Sequence, residues 1–120
     1  MAEFLDMYVA VPYSHDDFAV CEYRYLMATK YAADQTALGY TVYSPITHSH
    51  PLVVLRPDLS GDWEFWKRQD QAIIPICLSL HVLMLPGWFG SIGVAKEIRA
   101  FEKDNKPIKY IGMENMFNDC

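Results

Sequence analysis

Ser91, Gly93 and Glu97 form the segment whose residue types are best suited to chemistry. They follow an apolar run and open a predicted helix, where Ser91 can cap the first turn and free backbone amides can bind an anion such as phosphate. Gly93 allows a ligand to approach the backbone closely. Glu97 lies nearly two turns into the helix and can face back toward the apolar run. The same spacing is also typical of a capped surface helix with a solvated glutamate.

His48 and His50 are a second candidate group, two residues apart near the middle of the chain. Two imidazoles can bind a metal ion, but no carboxylate or cysteine accompanies them nearby, so the sequence predicts no metal site. We expect His48 instead to line a base or sugar pocket. Trp63, Trp66 and Trp88 are large enough to stack on a base, although tryptophans more often pack in cores.

The elements that must position these residues alternate between strand and helix. Strands are predicted over residues 7–11, 40–43, 80–85 and 108–111. Helices are predicted from an N-cap at Ser14 to a stop at Gly39, over residues 62–74, and from Ser91 to about residue 105. Residues 46–61 contain prolines and no clear period, which predicts a long functional loop that can include a helical turn.

This order predicts an α/β fold: a single Rossmann-like (flavodoxin-like) domain over residues 1–120, with a parallel sheet and helices on both faces. In such sheets ligands bind beyond the carboxyl ends of the strands. Three strand ends are therefore expected to form the site, at residues 11–14, 44–45 and 86–91.

Charge and cysteine content exclude several function classes. The 120 residues carry a formal net charge of −5 without a basic cluster, which excludes a duplex nucleic-acid partner. The three cysteines form no CxxC pair, so we expect free thiols in a reducing, cytoplasmic compartment. No signal peptide is recognised, and the longest apolar stretch, residues 72–85, is too short to span a bilayer, so no membrane partner is expected.

The segment from Ser91 to Glu97 resembles the Ser-x-Gly-Val-x-x-Glu motif of the 2'-deoxynucleoside 5'-phosphate N-hydrolases. It is also similar to the Asp-x-Gly-x-x-x-Glu motif of the nucleoside 2-deoxyribosyltransferases, which belong to the same superfamily. In these families the glutamate is the nucleophile on the anomeric carbon, so the resemblance implies that role for Glu97. The serine version accompanies a 5'-phosphate ligand, and Ser91 therefore favours a nucleotide over a nucleoside.

Two further motifs extend this resemblance. The strand at Tyr8 is similar to the superfamily's opening Tyr-x-x-Gly strand, with Val11 in place of the glycine, and implies that Tyr8 lies beside the nucleophile. The families place an aspartate eight residues before a polar residue that leads into the third strand. Asp70 fits best, eight residues before Leu78, which stands in place of the polar residue. Asp62 is the alternative, although it can equally be a helix cap.

The resemblance covers residues 8–111 and implies an enzyme. The expected activity is cleavage of the base–sugar bond of a (deoxy)nucleoside 5'-monophosphate, with Glu97 as nucleophile, Asp70 as proton donor and Tyr8 holding Glu97, and without a cofactor. A nucleoside 2-deoxyribosyltransferase is one alternative. A nucleotide-binding or sensing module without turnover is another, favoured by Val11 and Leu78. Small size and family precedent predict a homodimer or a higher homo-oligomer.

Overall fold

Four short parallel strands form the centre of the structure. In the computed structural model, which describes residues 4–59 and 63–116, they are β1 (Met7–Ala10), β2 (Val42–Tyr43), β3 (Leu80–Leu83) and β4 (Ile108–Ile111). Their order in the sheet is β2-β1-β3-β4. All three pairings are parallel, with Tyr8 opposite Tyr43 on one side and Leu80 on the other.

Four α-helices connect and cover these strands. They are α1 (Phe18–Ala37), α2 (Pro45–Leu55), α3 (Trp63–Ile73) and α4 (Ile92–Lys103). Short 3-10 helices span Ile74–Ile76, Trp88–Gly90 and Met113–Met116. Over the described part of the chain, none of the helices combines the length and the apolar character that crossing a membrane requires.

The two faces of the sheet are covered by two separate apolar clusters. Successive side chains of a strand point to opposite faces, and β1 is buried along its whole length. Met7 and Val9 pack with residues of α1, whereas Tyr8 and Ala10 pack with residues of α4. The predicted Rossmann-like α/β fold, with a parallel sheet and helices on both faces, is therefore confirmed.

Helix α2 corrects the prediction of a long loop, which is wrong for residues 46–55. Pro45 occupies the first turn, where its fixed φ suits a helix and its missing N–H costs nothing. Pro51, in the interior, removes one helical hydrogen bond. Packing against α1 compensates: the Thr47 hydroxyl lies 2.8 Å from that of Thr29, and the His50 ring stacks on Tyr25 with centroids 4.3 Å apart.

The start of α1 is a second correction. The N-cap is Asp17, whose carboxylate accepts a hydrogen bond from the Ala19 amide at 2.9 Å, so the prediction of Ser14 as the cap is wrong. Ser14 lies instead in the loop before the helix, and its carbonyl accepts a hydrogen bond from Arg24. The C-terminal prediction is confirmed, because Gly39 with φ of +100° follows the last turn. The later start leaves a loop between β1 and α1 that lies at the site described below.

Candidate functional site

The strand order creates a crevice beside the central strands. The chain leaves β1 toward β2 on one side and later returns to β3 on the other, so the loops after β1 and β3 diverge at their carboxyl ends. A cavity of about 640 Å³ opens there, within the range of small-molecule sites. Its walls come from both loops and from α1, α2, α3 and α4: Val11, Pro12, Tyr13, Ser14, Arg24, Pro45, Ile46, Glu64, Trp66, Asp70, Gly87, Gly90, Ser91, Ile92, Gly93, Lys96 and Glu97.

Glu97 and Tyr8 form a buried hydrogen-bonded pair at this cavity. The Tyr8 hydroxyl donates to Glu97 Oε2 at 2.5 Å. Glu97 is 6% exposed and Tyr8 is fully buried, with its ring against Tyr43 and Phe101. Helix α4 presents Glu97 on its buried face, between Val94 and Phe101. The structure thus brings together the two residues that the sequence placed at one pocket.

Asp70 supplies a second buried carboxyl to the same cavity. Burial raises the pKa of Asp70 to about 6, although the charge of His48 opposes that shift. Burial also raises the pKa of Glu97 to about 8; the hydrogen bond from Tyr8 lowers it, and the charge of Asp70 raises it further. Near neutral pH the two carboxyls therefore hold about one proton between them, and they titrate as a coupled pair.

The N-terminus of α4 forms another part of the cavity wall. The Ser91 hydroxyl accepts a hydrogen bond from the Val94 amide at 3.2 Å, as predicted for a helix cap. The first amides of a helix have no acceptor within it, and Ile92 and Gly93 both line the cavity. The helix dipole adds positive potential at this end. This wall is suited to an anionic group, as the sequence predicts for Ser91 and Gly93.

Comparison with known proteins adds a family. A family model described as a domain of unknown function, DUF1937, matches residues 6–113. The chain belongs to the DUF1937 family. The match includes every residue that lines the cavity. A search of curated proteins gave no match.

Three predicted residues of this DUF1937 protein lie elsewhere or cannot be placed. Trp88 is half-buried, packs against Tyr110 with ring centroids 5.8 Å apart, and does not line the cavity. His48 is exposed on α2 and also lies outside the lining, although it is near enough to lower the pKa of Asp70. Asp62 lies outside the described residues. The predicted ligand contacts of Trp88 and His48 therefore gain no geometric support.

Two further residues belong to the site: Trp66, which the sequence offers as one of three tryptophans able to stack on a base, and Arg24, which sequence reasoning missed. Trp66 lines the cavity one helical turn before Asp70 on α3. Arg24 is buried on α1 and also lines the cavity. The signal for Arg24 is its spacing, because Cys21, Arg24 and Ala28 recur at intervals of three and four and share the buried face of the helix.

The chemistry available in this DUF1937 cavity is that of two buried carboxyls, one of which is hydrogen-bonded to the Tyr8 phenol. One carboxyl can attack an electrophilic carbon while the other donates a proton, an arrangement typical of glycoside cleavage. Across residues 4–59 and 63–116, no three His, Cys, Asp or Glu side chains converge in a way that could hold a metal ion.

Proposed function

We propose that this protein hydrolyses the N-glycosidic bond of a (deoxy)nucleoside 5'-monophosphate. The observation that carries the proposal is the buried Tyr8–Glu97 pair, with Asp70 as a second carboxyl in the same cavity. Glu97 attacks the anomeric carbon as the base–sugar bond breaks, and the base departs with the bonding electrons. Asp70 donates a proton to the base. Water then attacks the anomeric carbon and passes its proton to the Asp70 carboxylate, and the bond from the sugar to Glu97 breaks, which releases the sugar phosphate and restores both carboxyls.

The protonation states define when this reaction can occur. Attack requires ionised Glu97 and protonated Asp70, which is one of two ways in which the pair can hold a single proton. The short hydrogen bond from Tyr8 stabilises the Glu97 anion and so favours this state. As positive charge develops on the sugar, the ionised carboxylate is stabilised further.

The cavity also suits the size and polarity of a nucleotide. Its volume of about 640 Å³ accommodates a ligand of this size. Trp66 offers an aromatic surface near Asp70, where the departing base is placed. The amides and the hydroxyl at the start of α4 are suited to the 5'-phosphate.

A second candidate is a nucleotide-binding module without turnover. The specific observation in its favour is the raised pKa of Glu97, about 8, which keeps this side chain mostly protonated at neutral pH. A protonated carboxyl can donate a hydrogen bond to a ligand but is a poor nucleophile.

Base release separates these functions. The protein is incubated with ribo- and deoxyribonucleosides and with their 5'-monophosphates, and free base is measured by chromatography. We expect release from at least one 5'-monophosphate, faster than from the matching nucleoside. Binding without release from any member would instead support the binding module. Exchange with an added second base, faster than hydrolysis, would assign a transferase.

Ser91→Ala tests the phosphate end of the cavity. We expect it to weaken binding of the 5'-monophosphate by roughly 1–3 kcal/mol, because a hydrogen bond to a charged group is lost. Binding of the matching nucleoside should change little, which isothermal titration calorimetry can measure. Equal losses for both ligands would show that Ser91 serves only as the cap of α4.

A further inference from the structure

Arg24 is a buried cation at the edge of the cavity, and its role is not explained by the reaction above. Its side chain is 8% exposed. The guanidinium donates to three backbone carbonyls: Nη1 to Tyr13 at 3.3 Å and to Ser14 at 3.1 Å, and Nη2 to Pro86 at 3.0 Å. Arg24 therefore bridges the loops that follow β1 and β3, where they diverge to form the cavity.

This cation has no anionic partner in the described part of the chain, where no Asp or Glu forms a salt bridge with Arg24. A buried charge without a counter-ion is unfavourable, and carbonyl dipoles compensate for it only in part. A guanidinium has five N–H donors, of which the three carbonyls take three, so two remain. A fork of N–H groups matches the oxygens of a phosphate.

Gly87 shows how closely the loop after β3 passes the guanidinium. Its φ is +92°, a conformation that favours glycine, and a Cβ added there would lie 2.7 Å from Arg24 Nη2. A larger residue at position 87 would displace the guanidinium or the loop. The glycine at position 87 thus leaves the space that the Arg24 guanidinium occupies beside the loop after β3.

The positive charge of Arg24 is separated from the two carboxyls. Loop carbonyls of Tyr13, Ser14 and Pro86 hold the guanidinium, whereas the Tyr8 hydroxyl holds Glu97, and Arg24 is not among the groups that shift the pKa of Glu97 or Asp70. The buried charged groups of the cavity are thus a carboxyl pair and a guanidinium on different elements, beside the less buried Glu64 and Lys96 of the lining. A matching ligand carries its negative charge at a distance from the bond that reacts, as a 5'-monophosphate does.

We propose that Arg24 is the specificity-determining cation of this cavity and binds the phosphomonoester group of the ligand at the end away from Glu97. The identity of the whole ligand rests on the proposed function, but the recognition of phosphate does not. Arg24 would act together with the amides at the start of α4, which line the same cavity.

Calorimetric titrations of wild type and Arg24→Gln test this assignment. The probes are inorganic phosphate, a 5'-monophosphate and the matching nucleoside. We expect Arg24→Gln to bind both phosphate-bearing probes about 10–100-fold more weakly, the loss typical of a hydrogen bond to a charged group. Nucleoside binding should change by less than about threefold. Arg99→Gln makes the same change in net charge at an exposed position outside the cavity lining and should leave all three affinities unchanged.

A purely structural role for Arg24 predicts a different result. The bonds to Tyr13, Ser14 and Pro86 also brace the two loops, so Arg24→Gln is expected to lower the melting temperature. The ratio of nucleoside to nucleotide dissociation constants separates these effects, because loosened loops weaken both ligands together. Arg24→Lys retains the charge without the fork and should give an intermediate ratio.

Several outcomes overturn the assignment. These are an unchanged ratio in Arg24→Gln and Arg24→Lys, or wild type that binds neither inorganic phosphate nor any 5'-monophosphate. Phosphate binding that depends on Arg24, without base release from any nucleotide, would refute the proposed function and leave this inference intact. Base release that is independent of Arg24 would support the proposed function and refute this inference.

Discussion

Glu97→Gln should abolish base release almost completely and, at the same time, make the protein more stable above neutral pH. The amide has nearly the same size, so packing against Tyr8 is retained. It cannot form a glycosyl ester or stabilise the developing cation, so turnover should fall by roughly 10³-fold or more with little change in ligand affinity.

The gain in stability follows from the raised pKa of Glu97. The folded state holds this proton up to about pH 8, whereas the unfolded chain releases it near the ordinary glutamate pKa of 4.5. Folding is therefore progressively disfavoured as the pH rises through this interval. Glutamine carries no titrating proton and so removes this cost of ionisation. Above about pH 8 we therefore expect the free energy of unfolding of Glu97→Gln to exceed that of wild type by roughly 2–5 kcal/mol. Below about pH 4.5 the two free energies of unfolding should be nearly equal. Thermal unfolding across this pH range measures the difference.

Glu102→Gln is the matched control, since Glu102 is exposed on the same helix. It should alter neither turnover nor the pH dependence of stability. Base release by Glu97→Gln at the wild-type rate would refute the mechanism. An unchanged dependence of the melting temperature on pH would show that Glu97 does not carry the raised pKa.

The pH profile of kcat/KM should be bell-shaped, and Asp70→Asn should remove its alkaline limb. In wild type the pair changes from two protons to one near pH 6 and from one to none near pH 8. Only the state with one proton can be active, so the rate should rise through the first value and fall through the second.

Asp70→Asn leaves Glu97 as the titrating carboxyl of the pair. The remaining activity should rise as Glu97 ionises and then stay constant. Its midpoint should lie below the upper value of wild type, because the charge that raises the pKa of Glu97 has been removed. The maximum rate should fall about 10²–10⁴-fold where the leaving base needs a proton. Asp104→Asn, an exposed change, should keep both limbs. A persistent alkaline limb in Asp70→Asn would refute the role of Asp70 as proton donor.

Elements with local signals were predictable from the sequence. Strand β4 occupies residues 108–111 as predicted, and Ser91 caps α4 because the side chain and the amide that it satisfies are three residues apart. Helix α2 was not predictable in this way. Its stability depends on packing against α1, which offsets the helix-breaking tendency of Pro51.

In the site, too, residues close together in the sequence were predictable, whereas those whose surroundings come from distant segments were not. Ser91 and Glu97 share one helix start, so their spacing could indicate a motif. The burial of Asp70 depends on how α3 packs against the sheet, and a solvated position was equally compatible with its sequence. Arg24 carries even less local signal, since its environment is set by carbonyls of Tyr13 and Pro86 from different loops.

The order in which the chain is synthesised gives the Tyr8–Glu97 hydrogen bond a consequence for folding. The bond joins residues 89 positions apart, and β1 pairs with β3 across a separation nearly as long, with Tyr8 opposite Leu80. Strand β1 leaves the ribosome first, yet it cannot complete its pairing until β3 has followed. Such long-range parallel pairing slows folding because a large loop must close before the contact forms. The nascent chain therefore acquires the Tyr8–Glu97 hydrogen bond only after α4 has been made.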